Sequence, residues 1–126
     1  PDDYKVYCFN GKPLFVLLCV DRHLGHAKFY MFDDKFVFKP TYTYDGLNTD
    51  INKVFQKPVG YEEILHYAEV LSKPFEFVRV DFYIIGGKVY FGEVTLTSSG
   101  GRDLDITPEF DKVAGSLINL KEKYEY

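Results

Sequence analysis

The sequence predicts an α+β fold, a mainly antiparallel sheet with two principal helices. Two β-branched and aromatic runs, Tyr4 to Phe9 and Pro13 to Val20, are joined by Asn10-Gly11, a dipeptide that tolerates the two positive φ angles of a type I′ turn. A second pair of runs, Phe75 to Ile85 and Lys88 to Leu96, meets at Gly86-Gly87. Two other stretches, Tyr61 to Ser72 and the segment opening at Thr107-Pro108-Glu109, carry helical spacing. Short turns make antiparallel neighbours, and the helices must then lie against the sheet.

Element by element, Leu14 to Val20 is apolar without alternation, which suggests a strand covered on both faces. Lys28 to Phe32 and Phe36 to Phe38, separated by Asp33-Asp34, read as a weaker strand pair. The polar stretch from Lys39 to Lys57 has little periodicity and reads as a long loop. In the first helix Tyr61, Ile64, Leu65, Ala68 and Leu71 form the apolar stripe, and Pro74 ends it. The glycine-bearing stretch Thr97 to Asp105 leads to the last helix, where Thr107 is the expected N-cap and Phe110, Val113, Ala114 and Leu117 the stripe.

A chain of 126 residues matches one ordinary domain with one core, so residues 1–126 are expected to form a single unit. With 46% apolar and 18% aromatic residues it is rich enough in core formers to exclude disorder. The net charge of -4 argues against nucleic acid or an anionic membrane surface as partner. The longest apolar run, Leu14 to Val20, is far below the ~20 residues of a membrane helix, and no signal peptide is found. Together with two cysteines, Cys8 and Cys19, that read as reduced thiols, this leads to a cytoplasmic expectation without membrane insertion.

The chemistry concentrates in Val78-Arg79-Val80-Asp81-Phe82 and Gly92-Glu93-Val94-Thr95. Strand alternation puts Val78, Val80, Phe82 and Ile84 on one face and Arg79, Asp81 and Tyr83 on the other. A two-residue Gly86-Gly87 turn would set Glu93 opposite Val80 on the apolar face, burying a carboxylate without a partner at a cost of several kcal/mol. A three-residue loop, Gly86 to Lys88, sets Asp81 opposite Glu93, Arg79 opposite Thr95 and Phe82 opposite Gly92, and is the expected register. Opposed residues have Cα atoms only ~4.5 to 5.5 Å apart, so the acids repel unless a cation joins them or one is protonated. Mg²⁺ suits two carboxylates plus phosphate, and Arg79 beside them suits a phosphoryl or acyl oxygen. The plainer alternative is an exposed sheet face where the acids pair with Arg79 or Lys88 as ordinary salt bridges.

In order and spacing, R-V-D-F-Y, a short Gly turn and K-V-Y-F-G-E-V-T resemble the terminal metal-binding hairpin of ATP-grasp enzymes. Position by position, the resemblance implies Arg79 as the catalytic phosphate contact, Asp81 and Glu93 as magnesium ligands, and Thr95 where the family commonly has Asn. With D-Y-K-V-Y-C-F-N-G-K-P at the start, Val20-Asp21-Arg22 and F-Y-M-F-D near Phe29, the chain is most similar to the TupA-like branch, linked to teichuronopeptide and cell-surface polysaccharide synthesis. The resemblance implies the C-terminal subdomain of an ATP-grasp fold, ATP and Mg²⁺ as cofactors, and ligase chemistry through an acyl phosphate. A small carboxylate or glycan precursor is the implied substrate. The family's glycine-rich lid, phosphate lysines and adenine-binding segment belong to an earlier half with no counterpart upstream of Tyr4. The chain is thus expected to be a fragment of a longer protein, inactive without that N-terminal part.

Ser98, Ser99, Gly100 and Arg102 follow the hairpin at once and, with Thr95, are candidate phosphate or substrate contacts through hydroxyls, backbone N–H groups and charge. Arg22, at the end of a core strand, is a further substrate candidate. His66 belongs to a solvated helix face, and His23 with His26 lacks a third ligand for zinc. Two alternatives of other classes stay open: a protein- or glycan-binding domain using the Lys39 to Lys57 stretch, and a glycosyltransferase accessory domain.

Overall fold

The computed structural model describes residues 2–21, 25–50, 52–96 and 105–124, with side chains up to residue 118. Five antiparallel strands form one sheet: β1 (Asp3–Phe9), β2 (Lys12–Val20), β3 (Lys28–Asp33), β4 (Phe77–Ile85) and β5 (Lys88–Thr95), in the order β3-β2-β1-β4-β5. α1 is one turn over Tyr44–Leu47, while α2 (Tyr61–Ser72) and α3 (Pro108–Tyr124) are the principal helices. The α+β expectation therefore holds, and it holds for the reasons given by the turns. Asn10 and Gly11 take φ of 54° and 80°, so β1 and β2 close as a tight hairpin.

Strand β1 lies at the centre of the sheet and is buried along its whole length. One face of the sheet presents Tyr4, Val6, Cys8, Val16, Leu18, Val78, Val80 and Phe82 to Tyr61, Ile64 and Ala68 of α2. The other face presents Tyr7, Phe9, Leu17 and Met31 to Ile106 and Phe110 at the start of α3, with Ala114, Leu117 and Ile118 packed beside them. Strand β2 contributes to both clusters, as its unbroken apolar run foretold. Tyr7, Phe15 and Phe110 meet edge to face, at centroid distances of 5.2 and 5.4 Å from Phe110. Thr107 caps α3, its Oγ1 accepting from the Phe110 N–H at 3.5 Å. No helix among the described residues is long and apolar enough to cross a membrane.

Several local expectations give way. Phe36 to Phe38 is no strand: β3 pairs with β2, and only Phe38 bridges back to Phe32. The Asp33 carboxylate accepts from the N–H groups of Lys35 and Val37 at 2.8 and 2.9 Å, and these local bonds take donors a ladder would need. The Lys39 to Lys57 stretch holds a 3₁₀ turn over Pro40–Tyr42 as well as α1. Thr43 caps α1 by accepting from the Gly46 N–H, and its hydroxyl donates to the Phe29 carbonyl, which ties the segment to β3. In α2 the buried line runs Tyr61, Ile64, Ala68, Ser72, so Leu71 turns aside and is 41% exposed. In α3 the sheet-facing line is Phe110, Ala114, Leu117 and Ile118, and Val113 lies off it.

Both cysteines are buried as thiols. Burial pushes the Cys8 thiol up to about 11 and the Tyr4 phenol up to about 12, with the Asp2 charge adding to the latter. The native state thus keeps these protons at pH values where the unfolded chain has begun to lose them. Their contribution is intact below the unfolded values of 9.0 and 10.0 and is lost as pH rises through about 11 and 12. Chemical denaturation at stepped pH should therefore show falling stability from pH 9 upward, and a flat profile to pH 11 would contradict this account of the core.

Candidate functional site

The site is built on a hairpin whose turn differs from expectation. Ile85 pairs with Lys88, so the connection is the two-residue Gly86-Gly87 turn, with φ of 59° and 79°. A regular ladder from that turn would bring Glu93 to the apolar face. The ladder is not regular: Phe82 pairs with Phe91, Asp81 pairs with Glu93, and Gly92 is the extra residue of a β-bulge. The bulge restores the facing of Asp81 on Glu93, Val80 on Val94 and Arg79 on Thr95. Phe82 meets Phe91 instead of Gly92, their rings edge to face at 6.2 Å. The expected juxtaposition of acids is thus present, reached by a different backbone route.

Gly92 is needed here for space. A Cβ at this position would lie 2.9 Å from the Asp81 carbonyl oxygen and 3.3 Å from the Tyr83 ring. Backbone approach that close is what lets the bulge sit against β4.

On its other side β4 pairs with β1, and this sets a row of side chains across the sheet: Leu17, Lys5, Asp81, Glu93. Lys5 is a residue that sequence reasoning missed. Its side chain is only 5% exposed, and its Nζ donates to Asp81 Oδ2 at 2.9 Å and pairs with Asp3 Oδ2 at 3.0 Å. Arg79 adds two bonds to the same carboxylate, Nε to Oδ1 at 3.0 Å and Nη2 to Oδ2 at 3.2 Å. Nη2 also reaches Thr95 Oγ1 at 3.4 Å and stands 4.0 Å from Glu93 Oε1. Burial works against the Arg79 guanidinium, but the bonds to Asp81 and its charge outweigh this and hold its pKa above the ordinary value. The neighbouring Tyr7 phenol is pushed up by burial, with the Arg79 charge pulling the other way.

Asp81 and Glu93 therefore face each other in unlike settings. Asp81 is buried and receives three N–H bonds from two cations, which leaves about one of its four lone-pair sites open. The Glu93 side chain is 68% exposed. Among the described residues no group of three His, Cys, Asp or Glu side chains forms a ready-made metal cage. The donor set is all oxygen, with Glu93 open, Asp81 partly open and Thr95 alongside. That chemistry fits a hard cation taking few protein ligands and completing its shell with water or phosphate.

Arg22, Ser98, Ser99, Gly100 and Arg102 lie outside the described residues, as does His23. His66 is exposed on α2 and lines a groove with Lys12, Leu14, Glu62 and Glu69, a group separate from the acid row.

The fold is thus a five-stranded antiparallel sheet with a facing acid pair and an ion-paired arginine toward its less covered edge. The profile of the TupA-like ATPgrasp family matches residues 2–119, nearly the whole chain, and the chain belongs to that family. No curated protein and no solved structure matches it.

Gly92→Ala is expected to cost about 1–3 kcal/mol through overpacking against β4 and to shift the amide signals of Asp81 and Glu93. Urea denaturation with an amide correlation spectrum measures both, and a variant as stable as the parent with an unmoved hairpin would rule out the close approach.

Proposed function

We propose that this chain is the metal- and ATP-phosphate-binding portion of an ATP-dependent carboxylate–amine ligase acting in cell-surface polysaccharide or teichuronopeptide synthesis. The observation that carries the reading is Asp81 lying opposite Glu93, with Arg79 locked to Asp81 and in line with Thr95. Family membership supports ligase chemistry of the ATP-grasp type. The finer assignment of polymer synthesis extends the family resemblance.

In this reading Glu93 and Asp81 would hold Mg²⁺, with Thr95 as the neighbouring oxygen donor. The ion, when bound, screens the charge of the nucleotide phosphates and polarises the phosphoryl group that is transferred. The chain's own contribution is orientation. Arg79 is fixed by its Nε and Nη2 bonds to Asp81, so its remaining guanidinium N–H groups meet an incoming phosphoryl oxygen without first losing rotamer freedom. It then stabilises negative charge that grows as a substrate carboxylate oxygen attacks the terminal phosphorus and ADP departs. Attack of an amine on the resulting acyl phosphate releases inorganic phosphate and forms the amide. Ser98, Ser99, Gly100, Arg102 and Arg22 complete the proposed phosphate and substrate contacts, and a preceding ATP-grasp half is the proposed partner for adenine binding.

Titration of this chain with Mg²⁺, followed by NMR, is expected to move the amides of Asp81 and Glu93 first. Glu93→Gln should weaken the response about tenfold or more while leaving the fold intact, because the side chain is exposed. Asp81→Asn should also cost about 3 kcal/mol or more of stability, since Lys5 then loses a buried partner. A hairpin unmoved by Mg²⁺ up to about 10 mM would reject the metal assignment.

A further inference from the structure

Lys5 is almost wholly enclosed and therefore not itself open to a nucleotide phosphate. It stands on the central strand, with Leu17 and Asp81 as its ladder neighbours. Its single ammonium bridges two carboxylates, Asp3 at 3.0 Å and Asp81 at 2.9 Å, both at least as buried as itself. Two enclosed acids that meet at one ammonium would repel without it, and Arg79 adds its charge only on the Asp81 side. In the same row Glu93 is exposed, and its contact with Arg79, at 4.0 Å, is the long one.

We propose that Lys5 is a positioning residue that acts as a tethered counterion: its ammonium fills the place between Asp3 and Asp81, and Glu93 is left as the carboxylate that takes up an arriving divalent cation. The inference rests on the reading of this hairpin as a cation site, and it adds a division of labour within it. Asp81 is the organiser, holding Arg79 and Lys5 in place, and Glu93 is the entry ligand. Asp3 has a part as well. By sharing the Lys5 charge, it leaves Asp81 enough negative character to join the ion from the inner side.

A buried ion pair that is only structural would make every disruption weaken binding. The counterion role demands changes of opposite sign. In Mg²⁺ titrations of the full chain, read at the Glu93 amide, Lys5→Met should tighten binding about tenfold or more, because three acids then face one cation. Asp3→Asn should weaken it about threefold or more, because the whole Lys5 charge then falls on Asp81. Lys5→Arg, which keeps the charge, should stay within about twofold of the parent. Asp3→Asn is nearly isosteric and decides the matter if Lys5→Met does not fold. Parent-like binding in Asp3→Asn, or shifts of the same sign in both variants, would overturn the counterion role while leaving the cation site standing. Absence of Mg²⁺ binding in the parent would overturn the cation site and, with it, the counterion role that rests on it.

Discussion

A carboxylate enclosed within a sheet must be given cations, and the need of Asp81 for them organises this molecule. Lys5 comes to it from β1 and Arg79 from two residues away on its own strand. The Lys5 bond requires β1 and β4 to be neighbours in the observed register, with Lys5 on Asp81 and Tyr7 on Arg79. A slip of one residue would place Lys5 against an apolar neighbour and turn Asp81 toward α2. Breaking such a buried pair costs about 3–5 kcal/mol, a large part of a domain's net stability, so the charged row acts as a register lock.

The same constraint accounts for the bulge. The tight Gly86-Gly87 turn and the polar row make conflicting demands on β5, since the turn alone would carry Glu93 to the apolar side. One extra residue at Gly92 satisfies both, at the cost of a backbone approach that only glycine permits. Bulges next to functional positions re-aim side chains in this way.

Coverage of the sheet is uneven, and the candidate site falls where it thins. α2 and α3 close the two faces over β1, β2 and their neighbours, while Phe91, Glu93 and Val94 on the edge strand remain exposed. Asp81 sits on the boundary, with buried Lys5 on one side and solvent-facing Glu93 on the other. A row graded in this way can be rigid at its inner end and accessible at its outer end.

Much of this was legible in the residues. Turn chemistry at Asn10-Gly11, helical spacing over Tyr61–Ser72 and the Thr107-Pro108 start depend on neighbours a few residues apart, and the structure agrees with them. The facing of Asp81 and Glu93 was legible too, because burying Glu93 on the apolar side is too costly whatever the loop. The backbone route to it was not, because a three-residue loop and a two-residue turn with a bulge give the same facing, and only the approach of β5 to β4 distinguishes them. Lys5 was missed for a different reason. In sequence it is one charge in a strand two residues after Asp3, and its partner Asp81 becomes visible only when β1 pairs with β4. The sequence by itself determined the two hairpins, the two principal helices and most of the residues that share a face, since periodicity and turn preference are local. Strand order, the Gly92 bulge and the burial of Lys5 between two acids were decided by tertiary structure, because each depends on contacts between segments that neither length nor spacing relates.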